Sequence, residues 1–180
     1  MASWSAIARR IRVPLGFASA VLYLWLAKPS WRSILLGSIV VLPGLILRAL
    51  ASGHVEKNEQ LTTSGPYAYT RNPLYLGSLV LAAGFAVAAR SGWIVLAMAV
   101  LFVAVYLPVI HAEEAFLRER FPEFADYARR VPRLLPRWSG SGHAGQFSRE
   151  LYWKHREYNA TLGAMGVIGL LVAKLLWMAN

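Results

Sequence analysis

The chain of 180 residues contains no cysteine. This absence excludes disulfides, thiolate metal sites, iron–sulfur ligation and cysteine nucleophiles. The four histidines, His54, His111, His143 and His155, are scattered along the chain and form neither an HExxH motif nor a cluster. The sequence therefore disfavours a metal enzyme, and we predict no metal site.

Acidic residues are also scarce, since 9 Asp and Glu face 19 Lys and Arg, for a net charge of +10. Such a charge can indicate nucleic-acid binding, but here the basic residues flank apolar stretches instead of sharing one soluble face. We therefore expect no nucleic-acid partner. A hydrophobic content of 57% and a mean hydropathy of +0.43 indicate an integral membrane protein.

Five apolar stretches predict an all-α, polytopic membrane helix bundle with about five transmembrane helices, to which cytosolic amphipathic helices are added. The stretches are Val13–Ala27, Ile34–Leu47, Leu74–Ala89, Trp93–Ile110 and Ala160–Met178. We interpret the chain as one membrane domain. Its parts are an N-terminal hairpin (1–51), a cofactor-binding and catalytic core (52–137), a connector (138–159) and a C-terminal transmembrane helix (160–180).

The distribution of basic residues predicts the orientation in the membrane. Segments 1–12, 48–72 and 111–158 hold 15 of the 19 Lys and Arg, and they also hold all nine Asp and Glu. By the positive-inside rule these segments are cytoplasmic. We therefore expect a cytoplasmic N-terminus and one active site that faces the cytoplasm.

The polar segment Thr62–Gly77, TTSGPYAYTRNPLYLG, separates the second and third apolar stretches. Asn72 is a favoured N-cap and Pro73 suits the first position of a helix, so a helix is predicted to begin here. The exposed N–H groups at such a helix start attract anions, and Arg71 adds a full positive charge beside them. The sequence therefore predicts an anion site at Arg71, Asn72 and Pro73.

Tyrosines surround this predicted anion site. If Tyr67–Arg71 is extended, then Tyr67, Tyr69 and Arg71 project to the same side and form one wall. Tyrosine at a membrane boundary can also serve only as an interfacial anchor, and that alternative stays open for each ring.

The second polar segment, His111–Tyr127, has helical periodicity and continues out of the fourth apolar stretch. Pro122 is predicted to divide it into two helices. Glu113 and Glu114 point about 100° apart on a helix, so one can face the bundle while the other faces the loop. The alternative is a solvated helix face with ordinary ion pairs, such as Glu114 with Arg118.

The segments GPYAYTRNPLYLG and EEAFLRERFPEFADYARRVPRLLP, in this order, resemble the isoprenylcysteine carboxyl methyltransferase and phospholipid methyltransferase superfamily of integral membrane enzymes. The resemblance covers residues 48–137. Asn72 stands where that family usually has His, and Pro122 stands where it usually has Gly. Asn72 can still bind a ligand by hydrogen bonds, but it cannot transfer a proton.

The resemblance implies S-adenosylmethionine as the cofactor and a lipophilic acceptor that enters laterally from the bilayer. It implies cofactor-binding roles for Tyr67, Arg71, Asn72, Tyr75 and Glu113. The candidate catalytic residues on the acceptor side are Glu114 and Arg120.

Several functions remain open from the sequence. The acceptor can be an isoprenylcysteine-type carboxylate, for which Arg120 is the predicted partner, or a phospholipid or small amine, for which Glu114 would accept the proton. A sterol-type reductase that uses NADPH is a second enzyme class. A membrane scaffold that assembles through the Gly163–Gly169 stripe is the non-enzymatic alternative.

Overall fold

The computed structural model describes residues 18–56, 59–137 and 145–179, and within these ranges all regular secondary structure is helical. This confirms the predicted all-α class. Helix α1 covers residues 18–26 of the described chain. The other elements are α2 (Trp31–Ser52), a 3₁₀ helix (Gly65–Ala68), α3 (Pro73–Ala89), α4 (Gly92–Leu101), a π-helical turn (Phe102–Tyr106), α5 (Leu107–Arg120), α6 (Phe124–Arg130), α7 (Arg149–Lys154) and α8 (Tyr158–Ala179).

Three helical segments are long and apolar enough to cross a membrane: Trp31–Ser52, Gly92–Arg120 and Tyr158–Ala179. The second of these combines α4, the π turn and α5 in one continuous helix. Helix α3 is equally apolar but has only 17 residues. The first predicted span, Val13–Ala27, lies partly outside the described residues. Three of the five expected spans therefore have full length in the structure.

Helices α2 and α3 approach each other closely because glycines face each other along their contact. A Cβ atom added to Gly37 would lie 2.6 Å from the carbonyl oxygen of Gly84, and one added to Gly44 would lie 3.0 Å from that of Gly77. A backbone carbonyl oxygen cannot rotate away from an added Cβ atom as the end of a flexible side chain can. The two glycines of each helix are seven residues apart, or two helical turns, so each pair lies on one face.

Helix α5 ends at Arg120, and α6 begins at Phe124 after a short turn. This confirms that Pro122 divides the polar segment into two helices. Phe124 is fully buried, and Leu117, Phe121 and Ala128, at the helical spacing of one face, pack in the same cluster. This apolar cluster holds α6 next to the polar loops.

The bundle has two distinct ends. At one end Lys174 of α8 donates hydrogen bonds to the carbonyl oxygens of Leu24 and Ala27, at 2.6 and 2.7 Å. At the other end Ser148, the N-cap of α7, donates its backbone N–H to the carbonyl oxygen of Gly53 at 2.8 Å. Helix α8 therefore runs from the end that carries the polar loops to the opposite end.

Candidate functional site

A cavity of about 1200 Å³ opens at the end of the bundle where α2 finishes and α3 begins. Its walls come from both predicted motif segments, from the C-terminal part of α2 and from the turn between α7 and α8. The polar or aromatic lining residues are Arg48, Ser52, Glu56, Gln60, Thr62, Tyr67, Arg71, Asn72, Tyr75, Ser78, Tyr106, Glu113, Glu114, Phe116, Glu119, Phe124, Tyr127, His155 and Glu157.

The extended conformation considered for Tyr67–Arg71 does not occur in the structure. Gly65 adopts a left-handed conformation with φ of 57°, and Gly65–Ala68 forms a 3₁₀ helix. A 3₁₀ helix rotates successive side chains by about 120°, so Tyr67 and Tyr69 do not share a wall. Tyr67 is buried and lines the cavity, whereas Tyr69 is not among the lining residues. The predicted tyrosine wall is therefore wrong, although Tyr67 belongs to the site.

Hydrogen bonds to backbone carbonyl oxygens hold the first motif segment against the second. The Arg71 N–H donates to the carbonyl oxygen of Pro132 at 2.9 Å. The Tyr127 hydroxyl donates to the carbonyl oxygen of Tyr67 at 2.7 Å. These contacts bring the two motifs, which are about 60 residues apart in sequence, into one site.

Glu114 lies at the centre of this junction and is only 5% exposed. Its Oε1 accepts a hydrogen bond from Asn72 Nδ2 at 3.1 Å and lies 3.3 Å from Arg71 Nε. Its Oε2 accepts from Arg133 Nε at 3.0 Å. Both carboxylate oxygens are therefore engaged, which confirms that one residue of the Glu113–Glu114 pair faces the bundle. The alternative, in which Glu114 pairs with Arg118 on a solvated face, is wrong, because Glu114 pairs with Arg71 and Arg133.

Asn72 precedes α3 as predicted, but its side chain makes no capping hydrogen bond. The amide instead donates to Glu114 and to the carbonyl oxygen of Arg133, at 3.1 and 3.0 Å. Pro73 at the first helical position has no N–H of its own, so one of the unpaired donors of the first turn is absent. Asn72 serves as a donor that holds the two motifs together.

Arg71 lines the cavity, with its side chain 11% exposed. Its guanidinium carbon lies 5.9 Å from the centre of the Phe124 ring, and Nη1 donates to the carbonyl oxygen of Ala128 at 3.4 Å. Buried Nε lies within ion-pair distance of Glu114 yet makes no hydrogen bond among the described residues. Arg71 is thus positioned by its neighbours and retains hydrogen-bonding capacity at the cavity.

Two tyrosines of the site are held in their neutral form. Burial raises the pKa of Tyr67 well above its usual range, and negative neighbours such as Glu113 add to the effect. Burial likewise raises the pKa of Tyr127, although the nearby Arg71 opposes the shift. Both hydroxyl groups therefore remain hydrogen-bond donors at physiological pH.

The remaining predicted residues occupy different places. Glu113 is exposed at the cavity mouth, and Tyr75 lies in the wall, where its ring packs edge-on against Tyr106 at 6.0 Å. The π-helical turn at Phe102–Tyr106 carries Tyr106 into that contact. Arg120 is exposed at the end of α5 and is not among the lining residues.

The cavity is also lined by a second polar cluster, which sequence reasoning missed. Arg48 of α2 forms two hydrogen bonds with Glu157, at 2.6 and 3.1 Å, and a third with Ser78 of α3. No local signal could have found this pair, because Arg48 and Glu157 are 109 positions apart.

Residues 49–123 match the phospholipid methyltransferase family. The match confirms, over those residues, the resemblance that the two motif segments predict. It includes Tyr67, Arg71, Asn72, Glu113 and Glu114, but not the residues of the C-terminal segment.

The chain is also similar to two bacterial proteins. It is 43% identical to the cobalt-zinc-cadmium resistance protein CzcN of Cupriavidus metallidurans over 83 residues, which are 46% of this chain and 38% of that protein. It is 37% identical to the nickel-cobalt-cadmium resistance protein NccN of Alcaligenes xylosoxydans xylosoxydans over 102 residues, or 53% and 48% of the two chains. The chain thus matches less than half the length of either relative. No solved structure matches it.

The names of these relatives refer to metal resistance. Within the described part of this chain, no three His, Asp or Glu side chains come together as possible metal ligands.

Proposed function

We propose that this chain, whose residues 49–123 match the phospholipid methyltransferase family, transfers a methyl group from S-adenosylmethionine to a lipophilic acceptor. The observation that carries the proposal is the cavity, because both motif segments converge on it and hold Arg71 beside a buried carboxylate. Its mouth lies at the end of apolar helices, where a membrane-borne acceptor can reach it.

The cavity has the volume and the chemistry for such a cofactor. Ligand pockets are usually about 300–1000 Å³, so about 1200 Å³ leaves room for a cofactor and part of an acceptor. S-adenosylmethionine, when bound, supplies an electrophilic methyl group on a sulfonium sulfur. Arg71 would bind its carboxylate, Glu113 its amino group, and Tyr67 and Tyr75 would contact the rest of the molecule. Asn72 would act by holding Glu114, and thereby Arg71.

The charge of the cavity favours a cationic acceptor over an anionic one. Five glutamates line it, Glu56, Glu113, Glu114, Glu119 and Glu157, against two arginines, Arg48 and Arg71. Each of the two arginines is already paired with a glutamate. This excess of carboxylates is notable in a chain whose net charge is +10. It would attract an ammonium group and disfavour an acceptor carboxylate in addition to the one that Arg71 would bind on the cofactor.

We therefore infer an amine acceptor, such as the headgroup of an aminolipid. An isoprenylcysteine-type carboxylate finds less support, because Arg120, its predicted partner, does not line the cavity. The same charge argument disfavours NADPH, whose several phosphate charges would meet the glutamates.

Isothermal titration of the detergent-purified chain tests the cofactor. We expect S-adenosylmethionine to bind and NADPH not to bind. Arg71→Ala should weaken S-adenosylmethionine binding by about 1.5–3 kcal/mol, the usual range for a hydrogen bond to a charged group. Arg118→Ala is the matched control, since Arg118 is exposed on α5 outside the cavity lining and its loss should leave the affinity unchanged.

The alternatives give different titrations. Binding of NADPH but not of S-adenosylmethionine would favour the reductase, and binding of neither would favour a scaffold. Equal affinity in the wild type and in Arg71→Ala would remove Arg71 from the cofactor site.

A further inference from the structure

We propose that His155, through its Nε2 atom, is the catalytic base that takes a proton from the acceptor amine, an inference that rests on the proposed methyl transfer. His155 belongs to the turn between α7 and α8, outside residues 49–123 that match the methyltransferase family. Of the three histidines that the structure describes, it alone lines the cavity.

The hydrogen bonding of the imidazole determines which nitrogen is available. Nδ1 of His155 lies 3.0 Å from the carbonyl oxygen of Ser52. A carbonyl oxygen can only accept, so Nδ1 must carry the proton, and in the neutral ring Nε2 carries the lone pair. The contact also fixes the ring orientation, because Ser52 is 1% exposed at the end of α2. His155 is thus held in the tautomer that a base at Nε2 requires.

The carboxylates of the cavity are less suited to this task. Both oxygens of Glu114 accept hydrogen bonds from Asn72 and Arg133, and both oxygens of Glu157 accept from Arg48. The other lining glutamates are half-buried or exposed. As a class, carboxylates are weaker bases than imidazole, so proton transfer to them from an ammonium group is less favourable.

The backbone conformation of the turn places the side chains of His155 and Glu157 at the same cavity. Arg156, between His155 and Glu157, adopts a left-handed conformation with φ of 53°, which is uncommon for a residue other than glycine. Both of its neighbours line the cavity. Strained backbone of this kind is concentrated at functional sites, where surrounding contacts maintain it. Here those contacts are the bonds from Glu157 to Arg48 and from His155 to Ser52.

The proton transfer is balanced without any further reactant. An N–H bond of the ammonium acceptor breaks, its electron pair stays on that nitrogen, and the proton binds Nε2 of His155. The imidazole becomes an imidazolium that still donates from Nδ1 to Ser52. The freed electron pair on the acceptor nitrogen is the pair that a methyl group requires.

The test uses S-adenosylmethionine with a radiolabelled methyl group and vesicles of phosphatidylethanolamine with phosphatidylglycerol as the amine probe. We expect His155→Ala to lower the rate of lipid methylation by about 100-fold or more, the usual contribution of a general base. Its affinity for S-adenosylmethionine, measured by titration, should remain within about twofold of the wild type. Added imidazole should restore part of the rate, which a purely structural loss would not allow.

His54→Ala is the matched control. The Nδ1 atom of His54 also lies close to a backbone carbonyl, that of Leu50 at 2.7 Å, but His54 does not line the cavity. This variant should methylate the vesicles at the wild-type rate and gain nothing from imidazole.

The possible failures are distinguishable. A wild-type chain that does not bind S-adenosylmethionine overturns the proposed function itself. Binding of the cofactor without methylation of the vesicles overturns the amine acceptor and, with it, the base. Methylation at the normal rate in His155→Ala overturns His155 alone.

Discussion

At the scale of single residues, Glu114 connects the two motifs more directly than its sequence context suggests. Its carboxylate receives contacts from Asn72 and Arg71 on one oxygen and from Arg133 on the other. A buried charge with such partners is costly to disturb, because the remaining cation loses its counterion. We expected Glu114 on the acceptor side, and in the structure it also contacts Arg71, which we propose as the residue that binds the cofactor.

Glu114→Gln should therefore reduce both stability and cofactor affinity. The neutral amide leaves Arg71 buried without its counterion, and we expect a loss of about 3 kcal/mol in the free energy of unfolding, at the lower end for a broken buried pair. Thermal unfolding in detergent and titration with S-adenosylmethionine measure the two effects. The neighbouring Glu113→Gln is the control, because Glu113 is exposed and its loss should weaken binding without lowering Tm. Unchanged Tm in Glu114→Gln would contradict a structural role for the network.

At the scale of helices, glycine has opposite roles in two parts of the bundle. The predicted glycine stripe of α8, Gly163, Gly166 and Gly169, faces open space in the described chain, since a Cβ added at any of the three would meet no neighbouring atom within 4 Å. The close approach occurs instead between α2 and α3, at Gly37 and Gly84 and their neighbours. The sequence pointed to the α8 glycines, and only the packing shows that the close approach is between α2 and α3.

Alanine substitutions can separate these two roles. A methyl group on Gly37 would lie 2.6 Å from the Ala88 Cβ and from the Gly84 carbonyl oxygen, which requires the two helices to move apart. We expect Gly37→Ala to cost about 1–3 kcal/mol in the free energy of unfolding, the usual cost of overpacking. Gly166→Ala should be neutral or slightly stabilising, because alanine is the better helix former. Equal Tm values for the two variants in detergent would show that α2 and α3 do not pack as described.

At the scale of the whole molecule, the charged loops and the cavity share one end of the bundle. Lys154 lies 3.6 Å from Glu59, which joins the C-terminal segment to the first polar loop. The turn at Lys28 lies at the other end, where its N–H donates to the carbonyl oxygen of Ala89 at 2.8 Å. The grouping of basic residues in the loop segments is consistent with a cytoplasmic cavity, which we propose as the orientation.

Cysteine labelling tests this orientation cleanly, because the chain has no cysteine of its own. Thr63→Cys and Lys154→Cys, both at exposed positions of the cavity end, should react with a membrane-impermeant maleimide only from the cytoplasmic side. Ser91→Cys, in the turn between α3 and α4, should react only from the opposite side. Labelling of Thr63 and Ser91 from the same side would contradict the proposed arrangement of the spans.

The sequence by itself determined the features that depend on neighbouring residues. Apolar runs and helical periodicity specified an all-α membrane protein, Asn72–Pro73 marked the start of α3, and Pro122 marked the break between α5 and α6. The motif segments also indicated that Tyr67, Arg71 and Glu114 belong to one site. Each of these features depends on local backbone geometry or on the solvation of a short segment. Both can be assessed from a few neighbouring residues.

Only the tertiary structure decided which distant groups meet. The pairing of Arg48 with Glu157, the position of His155 at the cavity and the use of the Asn72 amide for Glu114 all depend on how the helices pack. The same is true of Arg120, which the second motif segment offered as an acceptor-side candidate and which the packing placed outside the cavity lining. The physical reason is that a contact between residues 109 positions apart depends on how helix surfaces fit together. That fit cannot be predicted from the spacing of residues along the chain.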